Sequence, residues 1–138
     1  MANKKLRVYA QVPGKTRDLL LRMVKPTLAQ VFCQGLTYAY GVTSETSYPT
    51  APVKVLIVGI HRTKRHEALV CSLHGDTQRP DGKLFHITLA TAPGVPPAEA
   101  GDINMADVEP ISPITLDLQF KIEHARVTRP QALERLAA

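Results

Sequence analysis

Residues 85–89 read Phe85-His86-Ile87-Thr88-Leu89, a His-x-Thr set in an apolar, β-branched run. In an extended strand successive side chains alternate faces, so His86 and Thr88 point together while Phe85, Ile87 and Leu89 point the other way. The preceding Arg79-Pro80-Asp81-Gly82-Lys83 is a turn signal, because proline pre-sets one torsion and glycine accepts a positive φ before the chain re-enters a strand at Leu84. One face of that strand packs and the other is free for chemistry. Imidazole titrates near neutrality unaided and a hydroxyl can hold a non-bridging oxygen, so the pair suits phosphate-ester chemistry and makes half an active site. A lone His-x-Thr equally serves as a hydrogen-bonded structural histidine, so a second half is needed.

Internal similarity offers one. Gly35-Leu36-Thr37-Tyr38-Ala39 aligns with His86-Ile87-Thr88-Leu89-Ala90: the threonine and alanine are identical, Leu36 matches Ile87, and Gly35 stands where the histidine would be. Both copies lie in strand-like runs and both precede a Gly-Val pair, Gly41-Val42 and Gly94-Val95. With these residues the chain resembles the two-histidine (2H) phosphoesterase superfamily, whose members carry two H-x-[ST]-x motifs on two pseudo-symmetric β lobes. The second half looks most like the cyclic phosphodiesterase domains of fungal and plant tRNA ligases and related RNA-repair proteins. The resemblance spans roughly residues 30 to 122 and is carried by Val53–Val58 with Ala68–Leu73, then Phe85–Thr91, then Pro93-Gly94-Val95-Pro96-Pro97. The chain departs from the family at the first motif, where Cys33-Gln34-Gly35 contains no imidazole.

The resemblance implies an α+β fold of two pseudo-symmetric antiparallel β lobes with flanking helices around a central cleft, all within one domain, 1–138. It also implies a division of labour in which one histidine deprotonates water or a ribose hydroxyl, the other protonates the leaving oxygen, and two threonines hold the phosphate. Carried over, His86 is the surviving acid or base, Thr37 and Thr88 are phosphate ligands, and Gly35 carries nothing. Loss of one proton-transfer partner costs roughly 10²–10⁴ in rate, unless water, His61, His66 or His124 substitutes in part. Gln34 can hydrogen-bond but cannot titrate. Two functions follow: a hydrolase acting on RNA or nucleotides with 2′,3′-cyclic phosphate or 2′-5′ linked ends, or a degenerate domain that binds RNA or nucleotide without turnover. No cofactor, no metal and no obligatory protein partner is expected.

Composition fits a globular domain: 44% hydrophobic and 21% charged residues, with only two cysteines, Cys33 and Cys71, both in apolar runs. A reducing, cytoplasmic setting is expected, since no apolar run approaches membrane-spanning length. The net charge of +5 is uneven: residues 1–65 hold 11 Lys and Arg against two acids, a local +9, and the rest hold six against ten, a local −4. Such a positive field suits a phosphodiester ligand, or simply keeps the surface solvated.

Leu6–Val12 alternates and ends at Pro13-Gly14, a first strand followed by a helix from Lys15 to about Val24, with Thr16 as a candidate N-cap, stopped by Pro26. Gly14-Lys15-Thr16 is not a phosphate loop, because the first glycine of that motif would fall on Tyr9 inside the strand. A strand is expected over Val31–Val42, with Tyr38 and Tyr40 on the face opposite Thr37 and Ala39, then a Thr/Ser/Pro-rich loop over Thr43–Pro52 that could rim a cleft. A hairpin pairs Val53–Ile60 with Glu67–Leu73, and its tip, residues 61–66, holds Arg62, Lys64 and Arg65 as candidate nucleic-acid contacts. His61, His66, Cys71 and His74 invite a zinc reading, but Cys71 and His74 fall on opposite faces of a strand and no C-x-x-C supports them. A short helix over Ala98–Ala106, a strand over Ile114–Ile122 and a helix over Gln131–Ala138 complete the expectation.

Overall fold

The computed structural model describes residues 6–124. It is an α+β fold with two antiparallel sheets and, among the described residues, one α-helix. The first strand, β1 (Leu6–Gln11), leads through Pro13 into α1 (Gly14–Met23), which buries Leu20 and Leu21. The predicted Thr16 cap is not used, since Pro13 holds the N-cap position and makes no side-chain cap. Val24 ends the helix two residues before Pro26, whose ring would clash with a continued helical turn.

The run expected as one strand over 31–42 is two: β2 (Gln30–Val31) and β3 (Gly35–Tyr40). Cys33 separates them with a φ of 53°, a left-handed conformation that no regular strand contains. Its consequence is a change of sheet. Phe32 and Cys33 still donate to the carbonyls of Leu89 and Thr88, whereas Gly35 already pairs with Gln11 of β1. β3 also carries a bulge. Val8 pairs with Ala39 and Tyr9 with Thr37, leaving Tyr38 as the extra residue. That shift changes the expected face of two residues: Ala39 joins Leu36 in the core and Tyr40 shares the open face with Thr37, while Tyr38 packs on Phe85 and Phe120 as alternation from Thr37 requires.

The hairpin is β4 (Val53–Arg62) and β5 (His66–Leu73), followed by β6 (His86–Thr91) and β7 (Glu109–Leu118). They assemble with β2 in the order β2-β6-β5-β4-β7. β5 lies centrally and every one of its residues is buried. The strand expected over 114–122 is also divided, because the chain leaves the large sheet at Gln119, buries Phe120, and enters the small sheet as β8 (Lys121–His124). The small sheet runs β3-β1-β8. One core of apolar side chains from both sheets and α1 joins the two.

The expected helix over 98–106 is instead two 3₁₀ turns, Pro97–Gly101 and Met105–Asp107. Of their residues only Ala100 is buried, so the segment offers no apolar stripe that an α-helix could dock. The helix expected over 131–138 lies outside the described residues. No helix among the described residues is long and apolar enough to cross a membrane.

Candidate functional site

The break at Cys33 and the pairing of β2 with β6 set the open faces of β1, β3 and β6 around one cleft of about 330 Å³. His86, Thr88 and Thr37 all line it, together with Gly35 and Gln34. β6 behaves as its alternation requires: Phe85, Ile87 and Leu89 are buried while His86 and Thr88 are part-exposed. The turn before it closes through Arg79 and Lys83, whose backbones bond to one another, and both side chains reach the cleft. The far wall is Pro96 to Ala98 and Gly101.

His86 is held at its rear nitrogen. Nδ1 lies 3.0 Å from the Leu84 carbonyl, which can only accept, so Nδ1 carries the hydrogen and Nε2 presents a lone pair. Burial pushes its pKa below the ordinary histidine value, against the pull of that carbonyl, and the Arg79 and Lys83 charges push the same way as burial. A neutral imidazole with a free Nε2 is a base. Gly101 packs on its edge: a Cβ at that position would sit 3.3 Å from Cε1 and 3.6 Å from Nε2. The Thr88 hydroxyl donates to the Pro97 carbonyl at 3.3 Å, a long bond that a phosphate oxygen can replace by rotation of the hydroxyl.

Among the described residues three cations, Arg7, Arg79 and Lys83, line the cleft, and no carboxylate does. Glu123 and Asp81 stand behind Arg7 and Arg79 as salt-bridge partners, fixing both guanidinium groups, and the bond from Arg79 holds the Asp81 carboxyl below its usual pKa. Sequence reasoning missed Arg7 and Tyr9. Both line the cleft from the first strand, Arg7 buried and Tyr9 half-buried, and the alternation that sends Val8 and Ala10 into the core was the signal available for them. Tyr9 is pinned on one side by the Arg7 guanidinium, 3.8 Å from the ring centre. Its hydroxyl end covers Gly35, where an added Cβ would lie 2.0 Å from the Tyr9 hydroxyl oxygen and 2.6 Å from the Ala10 carbonyl oxygen. Burial raises the phenol to about 12. The hydroxyl therefore keeps its proton at neutral pH.

The hairpin tip is narrower than expected, only residues 63–65 between the two strands. Arg62 is paired with the fully buried Glu67, Arg65 is paired with Glu99, and Lys64 is exposed; none of the three lines the cleft. His61 and His66 do not enter the cleft either. They stack beneath the tip with ring centres 5.6 Å apart, each with a buried Nδ1 that has no hydrogen-bond partner. His124 lies on β8, opposite Leu6, and is not a lining residue. The Thr43–Pro52 loop contributes none. Among the described residues no three His, Cys, Asp or Glu side chains converge as a metal site, and the Cys71 thiol, fully buried, is pushed upward in pKa.

Compared with protein-family models, curated proteins and solved structures, the chain matches none.

Proposed function

We propose that this cleft binds and hydrolyses a phosphodiester at the end of an RNA or nucleotide, a 2′,3′-cyclic phosphate or 2′-5′ linkage, as a one-histidine relative of the 2H phosphoesterases. The observation that carries the reading is the convergence of a neutral His86, Thr37 and Thr88 in a cleft that, among the described residues, is lined by three cations and no acid. His86 Nε2 takes the proton of the attacking water, the threonine hydroxyls hold non-bridging oxygens, and Arg7, Arg79 and Lys83 stabilise the charge on phosphorus. The exposed Tyr40 ring, with the Arg79 guanidinium 5.7 Å from its centre, offers a face on which a base can stack. The pseudo-symmetry implied by the resemblance places β3 and β6 as the two motif strands.

Hydrolysis of 2′,3′-cyclic mononucleotides and of RNA ending in a cyclic phosphate tests this. Turnover in the parent that falls by roughly 10²–10⁴ in His86→Ala supports it. A second reading, a domain that binds the same ends without turnover, is favoured by the one feature of the family pattern that this chain lacks, an imidazole at position 35, where Gly35 stands. Silence of the parent on both substrates, with 2′-AMP still bound in calorimetry, establishes that second reading instead.

A further inference from the structure

The cleft has a base but no second imidazole, so the leaving oxygen needs another proton source. Gly35 cannot be repaired simply, because a side chain there would collide with the Tyr9 hydroxyl and with the Ala10 backbone. What occupies the root of that position is the hydroxyl itself, delivered from the neighbouring strand. The bulge at Tyr38 sets the pairing of Tyr9 with Thr37, and the bare backbone of Gly35 leaves room for the ring. Arg7 stacks on the ring and is in turn held by Glu123 at 2.9 Å, so the phenol is fixed before any ligand arrives. Tyr9 and His86 line the same cleft from different sheets.

We propose that Tyr9 is the second catalytic residue of this site, donating its hydroxyl proton to the leaving oxygen of the phosphodiester. The inference rests on the phosphoesterase reading of the cleft. Water attacks phosphorus and a new P–O bond forms as His86 Nε2 takes the water proton. The P–O bond to the ribose oxygen breaks, and that oxygen takes the proton from Tyr9, leaving a phosphomonoester and a free ribose hydroxyl. The imidazolium then returns its proton to the tyrosinate through solvent, and both groups are restored. An alkoxide is a stronger base than a phenolate, so the transfer runs downhill even from a phenol that burial has made less acidic.

The test compares Tyr9→Phe with the parent on two substrates: a 2′,3′-cyclic mononucleotide, whose leaving group needs a proton, and a p-nitrophenyl phosphodiester, whose leaving group does not. Phenylalanine keeps the ring against Arg7 and Gly35, so the fold is retained. The expected result is a kcat loss of about 10²-fold or more on the cyclic substrate, less than about fivefold on the nitrophenyl ester, and a nearly unchanged KM. Equal losses on both substrates would make Tyr9 a structural or binding group and overturn the proposal. So would cyclic-substrate turnover in Tyr9→Phe within about twofold of the parent while His86→Ala is dead, although the phosphoesterase reading then stands. A parent with no turnover on either substrate overturns the reading and the inference together.

Discussion

At the scale of single residues, the cleft depends on two glycines used for opposite purposes. Gly35 lets a neighbouring side chain in, and Gly101 lets the backbone come up to His86. Gly35→Ala is expected to destabilise the protein by about 1–3 kcal/mol, the usual range for overpacking, read as a lower urea midpoint. Gly101→Val is expected to leave global stability closer to the parent but to displace His86, lowering kcat more than it raises KM. The acid limb of the kcat/KM profile reports His86 directly. Because burial lowers its pKa, the base stays unprotonated to more acidic pH, and the limb is expected at a midpoint below the ordinary value of about 6.5. A midpoint above that value excludes His86 as the base. His86 and Thr88 were legible in the sequence because alternation along one strand places them unaided. Tyr9 was not, since its meeting with Gly35 depends on the register between two strands and on a bulge that no local pattern announces.

At the scale of elements, the hairpin that reads as a basic tip is a buttress. Glu67, fully buried at the base of β5, accepts from the Thr27 backbone and hydroxyl and from Arg62, tying the segment after α1 to the large sheet. Glu67→Ala removes the acceptor shared by the exposed Arg62 and Thr27 and opens a void, and a loss of about 1–3 kcal/mol is expected in chemical denaturation. Lys64→Ala, on the exposed tip, is expected to change stability by less than about 0.5 kcal/mol. The existence of β1, α1, β4, β5 and β6 was legible from period and turn chemistry. The division of 31–42 and of 114–122 was not, because in both stretches apolar residues recur on either side of the crossing. Apolar content reports burial, and burial continues across the crossing at Cys33 and at Phe120.

At the scale of the whole molecule, one core shared by two sheets makes stability sensitive to protonation of the histidines. His61 and His86 both have lowered pKa values in the folded state, mainly through burial, with His66 adding to the effect on His61 and Asp107 opposing it. Below about pH 6.5 the unfolded chain therefore binds protons that the folded chain refuses, and stability falls as pH falls. Asp81 and Glu99, lowered by Arg79 and Arg65, extend the loss once the pH reaches the carboxylate range. Thermal melts are expected to show Tm dropping between pH 7.5 and pH 5.5, with a shallower drop in His61→Phe; an unchanged slope in that variant removes His61 from the account.

The small sheet joins β1 to β8, and the Arg7–Glu123 bridge within it spans 116 residues of sequence. On a translating ribosome at ~5–20 residues per second, the wall carrying Arg7 and Tyr9 waits roughly 6–23 s for its last strand to emerge. The nascent chain thus completes its large sheet before the wall that carries Arg7 and Tyr9. Stalled chains ending before residue 121 are expected to lack nucleotide binding that chains carrying residues 121–124 on a linker long enough to span the exit tunnel recover.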